Sequence, residues 1–285
     1  MIARTSCRET LRLAGGQYMR AAFLIVSLVV APVASADVWF LGVGNDGYYT
    51  DVTGVYNAYS RLPNLHETPI HSRLLSNHGG STILSDIGWL GTNARPGDLA
   101  IFYYSGHGGT TYDYNYDEVA AWPRNSSDET IGRSYSWVTD DQVADAIGGV
   151  NQAVPVVVIF DSCYAGGMVG GREDLNSLGN VFVMMSSRED QVSYGGSTYS
   201  RFTEQLINGV GYGMPADASR DGAVTFTEWF DYARGHVYGQ TPQYFDAGTF
   251  GSLPLVPVPE PGMALLLAAG GCALLRRRRA VHGRR

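Results

Sequence analysis

Four short runs constrain this chain more than anything else in it: residues 38–43, 99–104, 155–160 and 181–185 are apolar, β-branched or aromatic, with no polar alternation. A strand alternates when one face meets water, so uninterrupted apolarity marks strands buried on both faces. Between or after them lie helix candidates at residues 51–61, 81–90, 139–147, 200–208 and 227–237, with Thr139 an expected N-cap before the acidic turn Asp140-Asp141. Strand and helix therefore alternate, which predicts an α/β fold: a mostly parallel central sheet sandwiched between helices. In such sheets ligands bind beyond the carboxyl ends of the strands. Two runs end there on reactive residues. One leads into Ser105-Gly106-His107-Gly108-Gly109, the other into Asp161-Ser162-Cys163-Tyr164-Ala165-Gly166-Gly167. Adjacent strands lie about 4.8 Å apart, so neighbouring positions would bring His107 and Cys163 to one edge.

The ends of the chain read differently from the middle. Met19-Arg20, the apolar stretch 21–33 and the small-residue signal Ala34-Ser35-Ala36 together predict a secretory signal peptide, with the mature chain starting at Asp37 and residues 1–36 left outside the fold. At the other end, a Pro-rich linker with Pro259-Glu260-Pro261 is followed by 14 small and apolar residues, 262–275, and then Arg276 to Arg279. Fourteen residues fall short of the roughly 20 needed to span a bilayer. Residues 37–252 are thus expected to form one domain and 253–285 a tail. Between Asp37 and Glu260, ten Arg and no Lys stand against 26 Asp and Glu. Such acidity excludes a nucleic-acid binder and suits bound cations, calcium among them.

Cys7 precedes the signal peptide and Cys272 lies in the tail, so the exported domain keeps one cysteine, Cys163, and no internal disulfide. A lone thiol in an oxidising compartment is either buried or used for chemistry. A nucleophilic cysteine must be partly thiolate, and a nearby imidazole can both lower its pKa and protonate the leaving amine. His107 suits that role. The glycines beside it let substrate approach, and the amides of Gly108 and Cys163 suit an oxyanion.

YYSGHGG and, 56 residues later, DSCYAGG resemble the paired His and Cys motifs of the caspase-like cysteine peptidases, nearest the metacaspase branch. The resemblance extends to Asp117-Glu118, Asp140-Asp141, Ser186-Ser187 and Phe202-Thr203. It implies a caspase-like α/β/α sandwich that hydrolyses peptide bonds with Cys163 as nucleophile and His107 as general acid and base, needing no cofactor for the chemistry. It also implies Asp161 at the floor of a pocket selecting Arg or Lys before the cut, with Ser105 in the wall; Asp46 is a further pocket candidate. The family's calcium switch uses acids near Asp140 and Asp141. Metacaspases usually carry His-Ser after the nucleophile, where this chain has Tyr164-Ala165, nearer the exported bacterial relatives. The tail in turn resembles the PEP-CTERM sorting signal of Gram-negative bacteria, which implies exosortase-type machinery as a partner, transient membrane contact, and a periplasmic, outer-surface or matrix location. A catalytically inactive caspase-like binding module at the cell surface is the alternative reading.

A second acidic stretch fits a 12-residue EF-hand calcium loop, with oxygens from Asp217, Ser219, Asp221, Thr225 and Glu228, a carbonyl at Ala223 and Gly222 at the turn. A plain Asp-Gly turn before a capped helix remains open beside it. Two other patterns are decoys. Gly42-x-Gly44-x-x-Gly47 fits a dinucleotide fingerprint, but Glu67 falls in a Pro-bounded segment instead of ending a second strand. His66-Glu67 and His71 are spaced one residue too far for a zinc helix and straddle a proline, so that stretch reads as a loop.

Overall fold

The computed structural model describes residues 36–65, 68–111, 128–133 and 136–257. In chain order the strands are β1 (Val38–Gly44), β2 (Ile70–Ser76), β3 (Leu99–Ser105), β4 (His107–Thr110), β5 (Glu129–Arg133), β6 (Ser136–Thr139), β7 (Val156–Asp161), β8 (Val181–Met185) and β9 (Gln243–Asp246). The helices are α1 (Tyr49–Tyr59), α2 (Gly80–Asn93), α3 (Asp140–Gly148), α4 (Arg201–Gly209) and α5 (Phe226–His236). Six strands make one sheet in the order β2-β1-β3-β7-β8-β9, parallel except for β9.

The uninterrupted apolarity of the central strands has the expected cause. Leu99, Ile101 and Tyr103 of β3 face one core with Val52 and Val55 of α1, Phe202 and Leu206 of α4, and Trp229 and Phe230 of α5. Ala100, Phe102 and Tyr104 face the other, with Ile83 and Ile87 of α2 and Val143 and Ile147 of α3. Each fully buried large side chain contributes about 1.5–3 kcal/mol, so both layers are firmly attached. Thr139 caps α3 as expected: its hydroxyl accepts from the Gln142 amide, and the Gln142 side chain accepts from the Thr139 amide.

Three parts of the architecture depart from expectation. Residues 70–76, which include the end of the stretch read as a loop, form the edge strand β2; His71 there stacks on Trp39 and pairs with Asp37 at 3.0 Å, which gives that histidine a structural place. Its companions His66 and Glu67 lie outside the described residues. The stretch 112–136 is polar and shows no strand or helix periodicity in the sequence, yet it contributes β5 to a small antiparallel sheet, β4-β5-β6. Finally, the segment expected to begin a linker at Leu253 starts inside the fold. Leu255 and Val256 are buried, Thr225 bridges Pro254, and the Tyr59 hydroxyl donates to the Leu255 carbonyl. The signal-peptide and sorting-tail residues lie outside the described residues.

The chain leaves β1 toward β2 on one side and β3 toward β7 on the other, so strand order reverses between β1 and β3. A crevice opens at the carboxyl ends of strands at such a point. There Gly44, Ser105 and Asp161 lie side by side in register.

Candidate active site

Cys163 follows β7 by two residues, is half-buried and is not in a disulfide. The chain turns sharply after it: Tyr164 sits at φ 60°, an uncommon conformation for a bulky residue, and its amide donates to the Gln191 carbonyl at 2.8 Å. The turn leaves the thiol at the sheet edge, where Sγ donates to the Ser193 carbonyl at 3.7 Å.

His107 is exposed and opens β4, two residues past the end of β3. Tyr104 anchors its backbone, with the hydroxyl 2.8 Å from the His107 carbonyl and 2.9 Å from that of Gly132, opposite His107 in the small sheet. The ring of Tyr48 stands edge-on to the imidazole, centroids 6.2 Å apart. The next residue has to be glycine, because a Cβ at Gly108 would collide with the Cys163 carbonyl oxygen. The His and Cys segments therefore touch and share one edge of the sheet.

Beneath them lie two buried carboxylates. Asp161 accepts from the Ser193 hydroxyl at 2.9 Å, the Thr203 amide at 3.0 Å and the Thr203 hydroxyl at 2.7 Å. Asp51, in the first turn of α1, accepts from the Ser105 hydroxyl at 2.7 Å and from the Ser200 amide and hydroxyl at 3.0 and 2.6 Å. Burial pushes the Asp161 carboxyl up to about 6, with the nearby Asp51 charge adding to the rise and the Thr203 and Ser193 hydrogen bonds opposing it. Burial likewise raises Asp51, against its three donors. Tyr48 is raised by burial first, then by Asp161, Asp51, Cys163 and Asp46, which places its hydroxyl among the same groups. No ion pair among the described residues involves Asp51 or Asp161. Tyr48 and Asp51 also line an open cleft of about 390 Å³ together with residues 196–200.

Of the residues expected around a pocket, Ser105 and Asp161 are buried side by side at the ends of β3 and β7, whereas Asp46 turns to Arg133, its carboxylate 3.4 Å from Nε. The acid that joins Asp161 is Asp51, which the sequence shows only as an ordinary acidic residue in a helix first turn.

Two groups of oxygens suit a hard cation. Carboxylate oxygens of Asp128, Asp140 and Asp141 lie within 4.8 Å of one another, Asp128 and Asp140 being buried. Asp140 also accepts from the Glu129 and Asp141 amides at 2.8 and 3.0 Å. All-oxygen donors of this kind match calcium. Asp128 was not singled out by sequence, since it precedes a strand hidden in a polar stretch. In the loop 217–228, the Asp217 carboxylate accepts from the Asp221 and Gly222 amides, Asp221 from that of Ala223, and Glu228 from those of Ser219 and Thr225. Ser219 donates to Asp217, and Thr225 and Glu228 form a capping box on α5. These oxygens already satisfy the loop's own backbone.

With this geometry in view, likeness to known proteins can be assigned. Residues 62–171, which include both His107 and Cys163, match the metacaspase, peptidase C14 domain family. Metacaspase-1 of Ajellomyces capsulatus is 36% identical over 91 residues, 30% of this chain and 24% of that protein. Metacaspase-1B of Neurospora crassa is 39% identical over 89 residues, 30% of this chain and 20% of that protein. The chain thus spans about a quarter or less of the length of these relatives. A Geobacter sulfurreducens protein of known crystal structure superposes over 79% of this chain and 99% of its own, with a TM-score of 0.58 at 17% identity. The fold is a caspase-like α/β/α sandwich, and its central segment is similar to metacaspase-type cysteine peptidases.

Proposed function

We propose that the chain is an exported cysteine endopeptidase that cuts polypeptides after Arg or Lys. The observation that carries this reading is a thiol and an imidazole on one sheet edge above two buried carboxylates that no basic side chain among the described residues neutralises. A substrate guanidinium or ammonium would supply the missing charge through charge-assisted hydrogen bonds. The scissile carbonyl then lies over Cys163. Its sulfur gives up the proton to His107 and attacks the carbonyl carbon, while the Gly108 and Cys163 amides face the oxyanion. Collapse to the acyl-enzyme breaks the C–N bond, and His107 returns the proton to the leaving amine. Water, deprotonated by His107, hydrolyses the thioester and restores the thiol.

Calcium fits Asp128, Asp140 and Asp141 as a stabilising or activating ion, with the 217–228 loop as a second, structural location. The signal-like start and the PEP-CTERM-like tail support export and sorting by exosortase-type machinery, with transient membrane contact through the tail. Incubation of the chain with fluorogenic peptides carrying Arg, Lys or Asp before the cut, with and without calcium and beside Cys163→Ala, tests the reading. Cleavage after Arg or Lys that is lost in Cys163→Ala is expected. Absence of cleavage together with absence of Cys163 alkylation would favour the inactive binding module instead.

A further inference from the structure

The loop after β8 carries one residue with a hand on both halves of the site. Ser193 accepts the Cys163 thiol on its carbonyl at 3.7 Å and donates its hydroxyl to Asp161 Oδ1 at 2.9 Å. The same hydroxyl oxygen accepts from Gln240 Nε2 at 3.0 Å and lies 3.0 Å from the Ser186 hydroxyl, so its single proton is directed at the carboxylate. We infer that Ser193 is a positioning residue that ties the specificity pocket to the nucleophile: its hydroxyl fixes the Asp161 carboxylate while its carbonyl holds the resting thiol. This rests on the basic-residue pocket proposed above and adds how occupation of that pocket reaches the sulfur. A sulfur held against the Ser193 carbonyl is turned away from an incoming electrophile. A cation on Asp161 draws the carboxylate and its Ser193 partner toward itself, which loosens the hold on Sγ and frees the sulfur for attack.

The loop does not depend on this hydroxyl for its shape. The Gln191 carbonyl accepts from the Tyr164 amide at 2.8 Å, and Gln191 Oε1 from the Thr241 amide at 2.8 Å. Gln240 Oε1 accepts from the Tyr194 amide at 2.9 Å, and Gln240 Nε2 donates to the Ser186 carbonyl at 2.9 Å. The groups that face Asp161 are Asp51 of α1, Tyr103 of β3, Thr203 of α4, Ser193 and Tyr48. Arg201, the cation nearest in sequence on α4, is held between the rings of Tyr194 and Tyr238. Removing the Ser193 hydroxyl therefore takes away one of the donors that keep Asp161 ionised and leaves the loop tethered.

Agmatine, a guanidinium without a peptide, is the probe. Its binding to the full chain bearing Cys163→Ala is measured by calorimetry from pH 5 to 8, with and without Ser193→Ala. Agmatine is expected to bind and to weaken as pH falls through about 6. Ser193→Ala moves that fall to higher pH and weakens binding at pH 6 by about ten-fold, the loss of one hydrogen bond to a charged group. Ser193→Thr restores both. With Cys163 intact, agmatine accelerates alkylation by iodoacetamide, and Ser193→Ala removes the acceleration. An unchanged pH midpoint and an unchanged alkylation response in Ser193→Ala would overturn the inference, as would agmatine failing to bind at any pH. Expected agmatine behaviour in a chain that cleaves no peptide would count against the peptidase reading alone.

Discussion

The crevice at the carboxyl ends of β1, β3 and β7 and the loop 217–228 are both built from aspartates, hydroxyls and backbone amides, yet they are in opposite states of charge balance. Asp51 and Asp161 are buried, and burial opposes their ionisation despite three donors each. Asp217 is half-buried and Asp221 exposed, and their charge is held by water together with local donors, the Ala223 amide serving Asp221. Partial loss of solvent raises Asp217, but the Gly222 and Asp221 amides and the Ser219 hydroxyl outweigh it and keep that carboxyl below the usual carboxylate range. The difference teaches where an incoming cation matters most. In the crevice it relieves a cost the fold already carries, whereas at the loop it adds to oxygens that the loop's own amides already occupy.

The largest effect that separates the two regions is expected at Asp161. Leaving a buried partner uncompensated costs about 3–5 kcal/mol, so Asp161→Asn should lower kcat/KM for an Arg peptide by about two to three orders of magnitude. Asp217→Asn should keep the native ratio of Arg to citrulline cleavage. Steady-state kinetics on matched peptides checks both, and a collapse of the ratio in Asp217→Asn would erase the contrast.

The pH dependence is next in size. Asp161 must be ionised to hold a basic side chain, so kcat/KM for Arg peptides rises as pH increases through about 6. Stability linked to the same group runs the other way. Its folded pKa lies above the unfolded value of about 3.9, so the native state binds the proton more tightly. The stabilisation is full below pH of about 4 and is lost as pH rises through about 6. Comparing melting curves of Cys163→Ala with those of the same chain bearing Asp161→Asn between pH 4 and 7.5 isolates this contribution, which should be absent in the second protein.

Calcium gives a smaller, conditional effect. At about 100 times its Kd a ligand stabilises by about 2.7 kcal/mol, so calcium should raise Tm by several degrees and chelation should reverse it. Asp140→Asn should remove most of that rise if the buried triad dominates, and Asp217→Asn should do so if the loop dominates; calcium titration of both variants by scanning calorimetry decides. Smallest is the helix cap. Thr225→Ala removes the capping box of α5 and should cost about 1 kcal/mol, a Tm loss of about 2–4 °C for a domain of this size.

The parts of the fold that were legible in the sequence are those where burial is symmetrical. β1, β3, β7 and β8 are apolar on both faces, and the five helices fall within a few residues of expectation because amphipathic spacing and the Thr139 cap mark them. β2 was missed because it is an edge strand carrying His71 and Arg73, which a two-sided apolar pattern does not reveal. β5 was missed because Gly132 and Glu129 break its pattern, although Glu129 is buried in the fold. At the site, His107, Cys163, Ser105 and Asp161 stand at strand ends, where chain order points to them. Asp51 and Ser193 do not. One looks like a favourable charge at a helix start and the other like a loop serine, and only the packing of α1 and the post-β8 loop against β3 and β7 brings them to Asp161.

The central claim is that two buried acids choose a positively charged side chain for the thiol above them. Its most direct test is kcat/KM on two peptides that differ only in Arg versus citrulline before the cut, since citrulline keeps the shape of arginine and loses its charge. The pocket geometry predicts cleavage of the Arg peptide at least about 100-fold faster, in line with the cost of leaving a buried charge unpaired. Equal rates, or faster cleavage of citrulline, would contradict it.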